Sequence, residues 1–313
     1  MKSFWDNLPS PILALAPMEA VTDVVFRHVV KAAAPPDLYF TEFTNATGWV
    51  HAGEKAIGGR LIKTDDEDRL IAQIWGGEPG DMAALAKHCK DLGYKAIDIN
   101  MGCPAKSAVK SGGSALIKNP ELAAESIAAA KIAGLPVSVK TRLGYSSIEE
   151  WQDWLGFLLK QDIVALTVHL RSKKEMSKVP AHLELIPAIK KLRDSIAPET
   201  KLLINGDVMN RKHALEIINE TGIDGAMIGR GIFHNPYAFE TDAKSHSKAE
   251  LLALLVLQLE LYDKYSALTG RPFETLKRFF KIYVRDFEGA SELRHELMQC
   301  RSTNEVRATI DAN

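Results

Sequence analysis

Eight short β-rich runs punctuate the first 230 residues of this 313-residue chain. They are Ile12–Pro17, Leu38–Phe43, Ile71–Gly76, Ala96–Met101, Val137–Arg142, Ala165–Leu170, Leu202–Asp207 and Gly225–Arg230. Segments with helical spacing separate them. From Asp81 to Cys89 apolar residues recur three and four apart, and Pro120 opens a helix behind the capping residue Asn119. Strand, helix, strand in repetition predicts parallel strands joined by crossover helices. Eight such units within about 240 residues predict a (β/α)8 TIM barrel. An open doubly wound sheet is the alternative, since it gives the same alternation.

The β pattern stops after Arg230, and from about Ser247 the chain reads as helices only. Leu251, Leu252, Leu255, Leu259 and Tyr262 form one apolar stripe, and further helical pieces run near Phe273–Phe287, Ser291–Cys300 and Thr303–Ile310. The predicted division is a barrel at 1–243 and a small all-α domain at 244–313. So short a helical unit is marginal alone and is expected to dock on the barrel.

Composition excludes several classes. With 46% apolar and 25% charged residues the chain is neither disordered nor fibrous. The apolar run Leu251–Leu257 is far below the ~20 residues of a membrane span. The three cysteines, Cys89, Cys103 and Cys300, form no C-x-x-C pair, which argues against zinc and against a disulfide framework. A cytoplasmic, monomeric protein without metal or membrane is expected. The net charge of -1 means that any polyanionic partner must be held by local basic patches.

Side chains alternate across a strand. In Val137–Arg142 the valines share one face and Ser138, Lys140 and Arg142 the other; Ile97–Asn100 and Leu166–Arg171 divide in the same way. The apolar faces are expected against the outer helices and the polar faces inside the barrel. Lys140, His169, Asn100 and Asn205 then lie near the C-terminal mouth, where barrel active sites sit, and Gln73 lies mid-strand.

Asn100-Met101-Gly102-Cys103-Pro104 is the sharpest local signal. Cys103 follows the fourth strand on a mouth loop, and a neutral thiol there can donate a proton; the bland alternative is an inert residue in a tight turn. Cys89 fits a core position. Asn205-Gly206-Asp207 and Gly229-Arg230 end strands seven and eight, the recurrent phosphate site of barrels, with Arg230 adding a matching charge. Lys140 must have a partner, either an acid such as Asp98 or Glu42 or an electron-rich cofactor ring. His169 is equally a core histidine or a phosphate donor. Lys106, Lys110 and Lys118 cluster after Cys103, and Arg171, Lys173, Lys174 and Lys178 after strand six. Lys277, Lys281 and Arg285 recur every four residues, as on one helix face. Two of these clusters share the mouth with Cys103, which favours a large polyanionic substrate.

The ordered set resembles the tRNA-dihydrouridine synthases, flavin-dependent barrel enzymes that reduce uridine in tRNA. The matching pieces are Ala16-Pro17-Met18-Glu19, Thr22-Asp23, Thr41-Glu42, Gln73, Asn100 to Pro104, Lys140-Thr141-Arg142-Leu143-Gly144, His169-Leu170-Arg171, Asn205-Gly206-Asp207 and Met227 to Gly231. The resemblance implies FMN as cofactor, NADPH as reductant and tRNA as partner. It implies that Pro17, Met18 and Glu19 lie along the flavin, and that Gln73 and Lys140 bond its ring. Asn205, Gly206, Asp207, Gly229 and Arg230 would hold the ribityl and phosphate, with His169 nearby. Asn100 and Arg171 would contact the target base, Cys103 would be the general acid, and the helices of 244–313 would be the tRNA-binding domain. Lys277, Lys281 and Arg285, picked out by their spacing, are then the candidate tRNA contacts. The resemblance leaves less covered the loop Met176–Leu183, which departs from the usual pattern, and Ala20, where many members have Gly. A small-molecule FMN reductase akin to dihydroorotate dehydrogenases, a catalytically silent tRNA-binding protein and a non-redox phosphosugar enzyme are the alternatives.

Overall fold

The computed structural model describes residues 4–57 and 59–313. Parallel strands form one ring: β1 (Ile12–Leu15), β2 (Tyr39–Phe40), β3 (Thr44–Asn45), β4 (Leu70–Trp75), β5 (Ile97–Met101), β6 (Val137–Arg142), β7 (Ala165–His169), β8 (Lys201–Asn205) and β9 (Gly225–Ile228). β1 pairs with β9 on one side, and on the other it meets the second barrel strand through a bridge from Ala14 to Leu38. The chain is therefore an eight-stranded (β/α)8 barrel and not an open sheet.

The second strand departs from the expected continuous run Leu38–Phe43. It is split into β2 and β3, both of which pair with β4. The Thr41 hydroxyl enters the ladder at the break: it accepts the Gln73 amide at 3.0 Å and donates to the Glu42 carbonyl at 2.9 Å. A side chain there replaces a backbone partner, and the strand bends.

Two cores result from the alternation. Inside the barrel, Ile12, Ala14, Leu38, Phe40, Ile71, Ala96, Ala165, Leu203 and Met227 pack together over Trp5. Outside, Leu13, Leu15, Ile97, Ile99, Val137, Val139, Leu166, Val168 and Ile204 pack against the helices. Apolar residues thus fill the lower interior, and polar residues occupy its upper layers: Gln73, Asp98 and Ser138, then Asn100, Lys140, His169 and Asn205. Cys89 is fully buried in the outer core.

The helices between strands include α1 (Val24–Ala33), α2 (Ala46–Ile57), α3 (Pro79–Asp91), α4 (Lys106–Val109) and α5 (Pro120–Lys131). They continue with α6 (Trp151–Leu159), α7 (Ile186–Ile196), α8 (Arg211–Thr221) and α9 (Gly231–His234). Asn119 accepts the Leu122 amide as the α5 cap. The tail is helical throughout: α10 (Lys248–Thr269), α11 (Lys277–Tyr283), α12 (Ala290–Gln299) and α13 (Thr303–Asp311). Ser247 and Glu250 form a capping box at the start of α10, and Gly270, in the left-handed region at φ 63°, ends it. Leu254, Leu255, Leu259, Phe279 and Phe280 join the same apolar cluster as the outer barrel, so the tail shares its core with the barrel. No helix among the described residues is long and apolar enough to cross a membrane.

Candidate active site

The C-terminal ends of the strands surround two cavities. One, of about 370 Å³, is lined by Pro17, Met18, Lys140, His169, Asn205, Gly206, Asp207, Gly229 and Arg230, among others. The other, of about 280 Å³, is lined by Glu19, Phe43, Asn45, Arg60, Trp75 and Cys103. The loop after β1 runs between them, with Met18 facing one and Glu19 the other. A larger cavity of about 590 Å³ lies at the opposite end, beside Leu159 and Lys201, away from these converging polar groups.

A chain of polar side chains crosses the barrel beneath the cavities. Ser138 donates to Asp98 at 2.6 Å, Gln73 donates to the other Asp98 oxygen at 2.7 Å, and Asn100 donates to Gln73 at 3.0 Å. Burial pushes the Asp98 carboxyl up to about 6 against these hydrogen bonds. Gln73 is fully buried in this network. Asn100 also turns its Oδ1 upward, accepting the amides of Gly102 at 3.0 Å and Cys103 at 2.9 Å. Asn100 therefore shapes the loop that carries Cys103, a task its residue type alone did not reveal.

Lys140 pairs with neither Asp98 nor Glu42. Its Nζ donates to Asn205 Oδ1 at 3.1 Å, its only hydrogen bond among the described residues, and Asn205 in turn donates to the Met227 carbonyl at 2.9 Å. Burial, with Arg142 nearby, lowers the Lys140 ammonium to about 8. A buried cation needs polar or anionic partners, and the remaining donors of Lys140 have none among the described residues. His169 is held far below its ordinary pKa by burial and by the surrounding cations, beginning with Arg142. At neutral pH it is an uncharged imidazole, with one N–H to give.

At the outer wall of this cavity, Asp207 receives hydrogen bonds from Arg171 and, at 3.1 Å, from Arg230. Arg230 is 60% exposed at the rim. Gly206 takes φ +122°, and a Cβ there would lie 3.1 Å from Ala181 and 3.3 Å from His169. The positive φ favours glycine, and a Cβ would press tightly on both neighbours. Three of the five non-glycine residues with positive φ among the described residues, Ala20, Met176 and Asp207, sit at this mouth.

Cys103 is half-buried. Burial pushes its thiol up, opposed by the Ala105 amide, with Glu19 adding to the rise and Arg142 and Lys140 pulling down. It is therefore a neutral thiol at pH 7, the form that can give a proton. Arg142 braces the loop from below, donating to the Gly102 carbonyl at 2.7 Å and the Met176 carbonyl at 2.9 Å. Arg142, Asp98, Arg60 and Trp75 were not singled out as site residues from sequence, although Arg142 shares the inward face of β6 with Lys140.

Arg171 and the tail stripe depart from expectation. Arg171 is only 2% exposed and is engaged by Asp207 and by the Val179 carbonyl at 2.5 Å, so its guanidinium supports the mouth loops. Lys277, Lys281 and Arg285 do not share one helix. α11 ends at Tyr283 because Val284 leaves helical geometry at φ -94°, ψ 80°. Lys277 donates to the Met298 carbonyl at 2.9 Å, and Arg285 donates to the His234 carbonyl at 2.5 Å. Of the three, only Lys281 is exposed; Lys277 and Arg285 are half-buried.

Comparison with known proteins agrees with this geometry. The sequence model of the dihydrouridine synthase (Dus) family matches residues 14–313. The chain belongs to the dihydrouridine synthase family. A Bacillus subtilis (strain 168) protein named "Probable tRNA-dihydrouridine synthase 2" is 55% identical over 312 residues, covering 99% of this chain and 96% of the relative. A "Probable tRNA-dihydrouridine synthase" of Staphylococcus epidermidis RP62A is 56% identical over 99% of this chain and 96% of its own length. The counterpart from Staphylococcus aureus COL is 55% identical over 99% of this chain and 95% of its own length. Among solved structures, 6-hydroxypseudooxynicotine amine oxidase from Pseudomonas geniculata N1 superposes with a TM-score of 0.55 at 11% identity, over 74% of this chain and 46% of that one. That likeness concerns the fold.

As a member of the dihydrouridine synthase family, the chain is a flavin-dependent oxidoreductase. The larger mouth cavity fits a flavin. Lys140 and Asn205 offer polar contacts deep inside, Pro17 and Met18 form a wall, and Gly206, Gly229 and the exposed Arg230 leave room and charge at the rim.

Proposed function

We propose that this chain is a tRNA-dihydrouridine synthase that binds FMN in the larger mouth cavity, takes reducing equivalents from NADPH and reduces the 5,6 double bond of uridines in tRNA. The observation that carries the reading is the placement of Cys103, a neutral thiol lining a second cavity beside the one that fits a flavin. Reduced flavin, when bound, supplies a hydride to one carbon of the double bond. Cys103 gives its proton to the neighbouring carbon and is reprotonated from solvent. Asn100 and Arg142 keep the Cys103 loop in place during that transfer. Trp75, Phe43 and Asn45 line a space for a base splayed out of the RNA.

The exposed Lys106, Lys110, Lys118, Lys174, Lys178 and Lys281 supply charge for the RNA backbone. On this reading residues 1–243 are the catalytic barrel, and 244–313 form a tRNA-binding helical domain of a monomer working in the cytoplasm. A small-molecule reductase leaves the basic mouth loops without a task.

The test is spectroscopic. Purified protein should show a flavin spectrum that bleaches with NADPH and recovers anaerobically when unmodified tRNA is added. A flavin that bleaches but ignores tRNA would favour a small-molecule substrate. A protein that retains no flavin and takes up no FMN would overturn the redox reading.

A further inference from the structure

Two arginines of the helical tail reach the loop between the cavities. Arg271, just past α10, places Nη2 2.5 Å from Glu42 Oε2 and Nε 3.5 Å from Asp23 Oδ2. Glu42 is fully buried, and its other oxygen accepts the Ala20 amide. Arg278, on α11, donates to the Ala20 carbonyl at 3.1 Å. Both hydrogen-bonding groups of Ala20 are thus held, one through Glu42 and one directly. Ala20 stands at φ +57°, the left-handed region that an L-residue with a Cβ adopts at a cost. Immediately before it, Met18 lines the flavin cavity and Glu19 the Cys103 cavity.

We infer that Arg271 and Arg278 are positioning residues that hold the Met18–Ala20 loop in its working conformation, so that the tail shapes the flavin site in addition to binding RNA. The inference rests on the flavin-dependent reading above. The contacts span 229 and 258 residues of sequence, so local chain stiffness cannot substitute for them. Burial pushes the Glu42 carboxyl above its ordinary range, and Arg271 is the strongest group pulling it back. Without that guanidinium a buried carboxylate takes up a proton, and a neutral Glu42 grips the Ala20 amide less strongly. Loss of Arg271 is therefore transmitted to Met18 and Glu19.

The test uses full-length Arg271→Met and Arg278→Ala. Three quantities are measured: FMN affinity of the flavin-free protein, tRNA affinity by filter binding, and single-turnover dihydrouridine formation at saturating tRNA. Expected are FMN affinity and saturating rate each down about tenfold, with tRNA affinity within about twofold of wild type. Weaker tRNA binding with unchanged FMN affinity and saturating rate would overturn the inference and make both arginines RNA contacts. No change in any of the three would overturn it as well. Should Arg271→Met fail to fold, Arg278→Ala decides alone, since that side chain lies on the surface. Wild-type protein that binds no FMN would instead overturn the functional reading beneath the inference.

Discussion

Asn100 and Cys103 are tied through one oxygen: Asn100 Oδ1 accepts the Cys103 amide at 2.9 Å while also accepting that of Gly102 at 3.0 Å. The bond fixes the turn that presents the thiol, and Asn100 is itself anchored by Gln73. Asn100→Ala leaves both amides without their partner. At about 1–3 kcal/mol for each unsatisfied buried group, the loss of both partners should lower the unfolding free energy by about 2–6 kcal/mol. Urea denaturation of the flavin-free protein checks the loss. An unchanged midpoint would mean that water replaces the clamp.

Asp98 sets a pH signature for the barrel interior. Burial raises its folded-state pKa from 3.8 to about 6, so the folded protein holds a proton that the unfolded chain releases earlier. The associated stability is fully present below about pH 4 and is lost as pH rises through about 6. Asp98→Asn removes the titration. Wild type should therefore lose stability relative to the variant between pH 4 and 6, read as the difference of two urea series. A pH-independent difference would show that Asp98 keeps an ordinary pKa.

Arg230 is predicted to grip phosphate. Removing one charge-assisted contact of about 1.5–3 kcal/mol should weaken FMN binding by about 10- to 100-fold in Arg230→Ala. Riboflavin, which lacks the phosphate, should bind both proteins equally. Flavin fluorescence titration separates the two ligands, and an equal loss for riboflavin would place Arg230 elsewhere in the site.

The three cations of the tail should behave differently. Lys281 is exposed, so Lys281→Ala should reduce the log–log salt slope of tRNA binding by about one. Lys277 and Arg285 bond to carbonyls of Met298 and His234, and their replacement should lower the melting temperature more than the slope. Equal slope changes for all three would restore the single basic stripe.

Much of this was legible in the sequence because strands report their facing with a period of two. Val137 and Val139 point out while Ser138, Lys140 and Arg142 point in, and the same alternation puts Asn100, His169 and Asn205 at the mouth. The break in the second strand was not legible. It depends on the Thr41 hydroxyl entering the ladder beside Glu42, whose partner Arg271 lies 229 residues away. The early end of α11 was hidden for a related reason, since Lys277, Lys281 and Arg285 keep perfect helical spacing across a backbone that stops being helical at Val284. Arg171 was placed at the target base by resemblance, but tertiary contacts with Asp207 and Val179 draw it inward.

Cys103 as proton donor is the central chemical claim, and one variant tests it most directly. Reduced Cys103→Ala, mixed anaerobically with unmodified tRNA, should keep its flavin and bind the tRNA while flavin reoxidation slows by at least ~100-fold. Reoxidation at the wild-type rate, with dihydrouridine formed in the tRNA, would contradict the assignment.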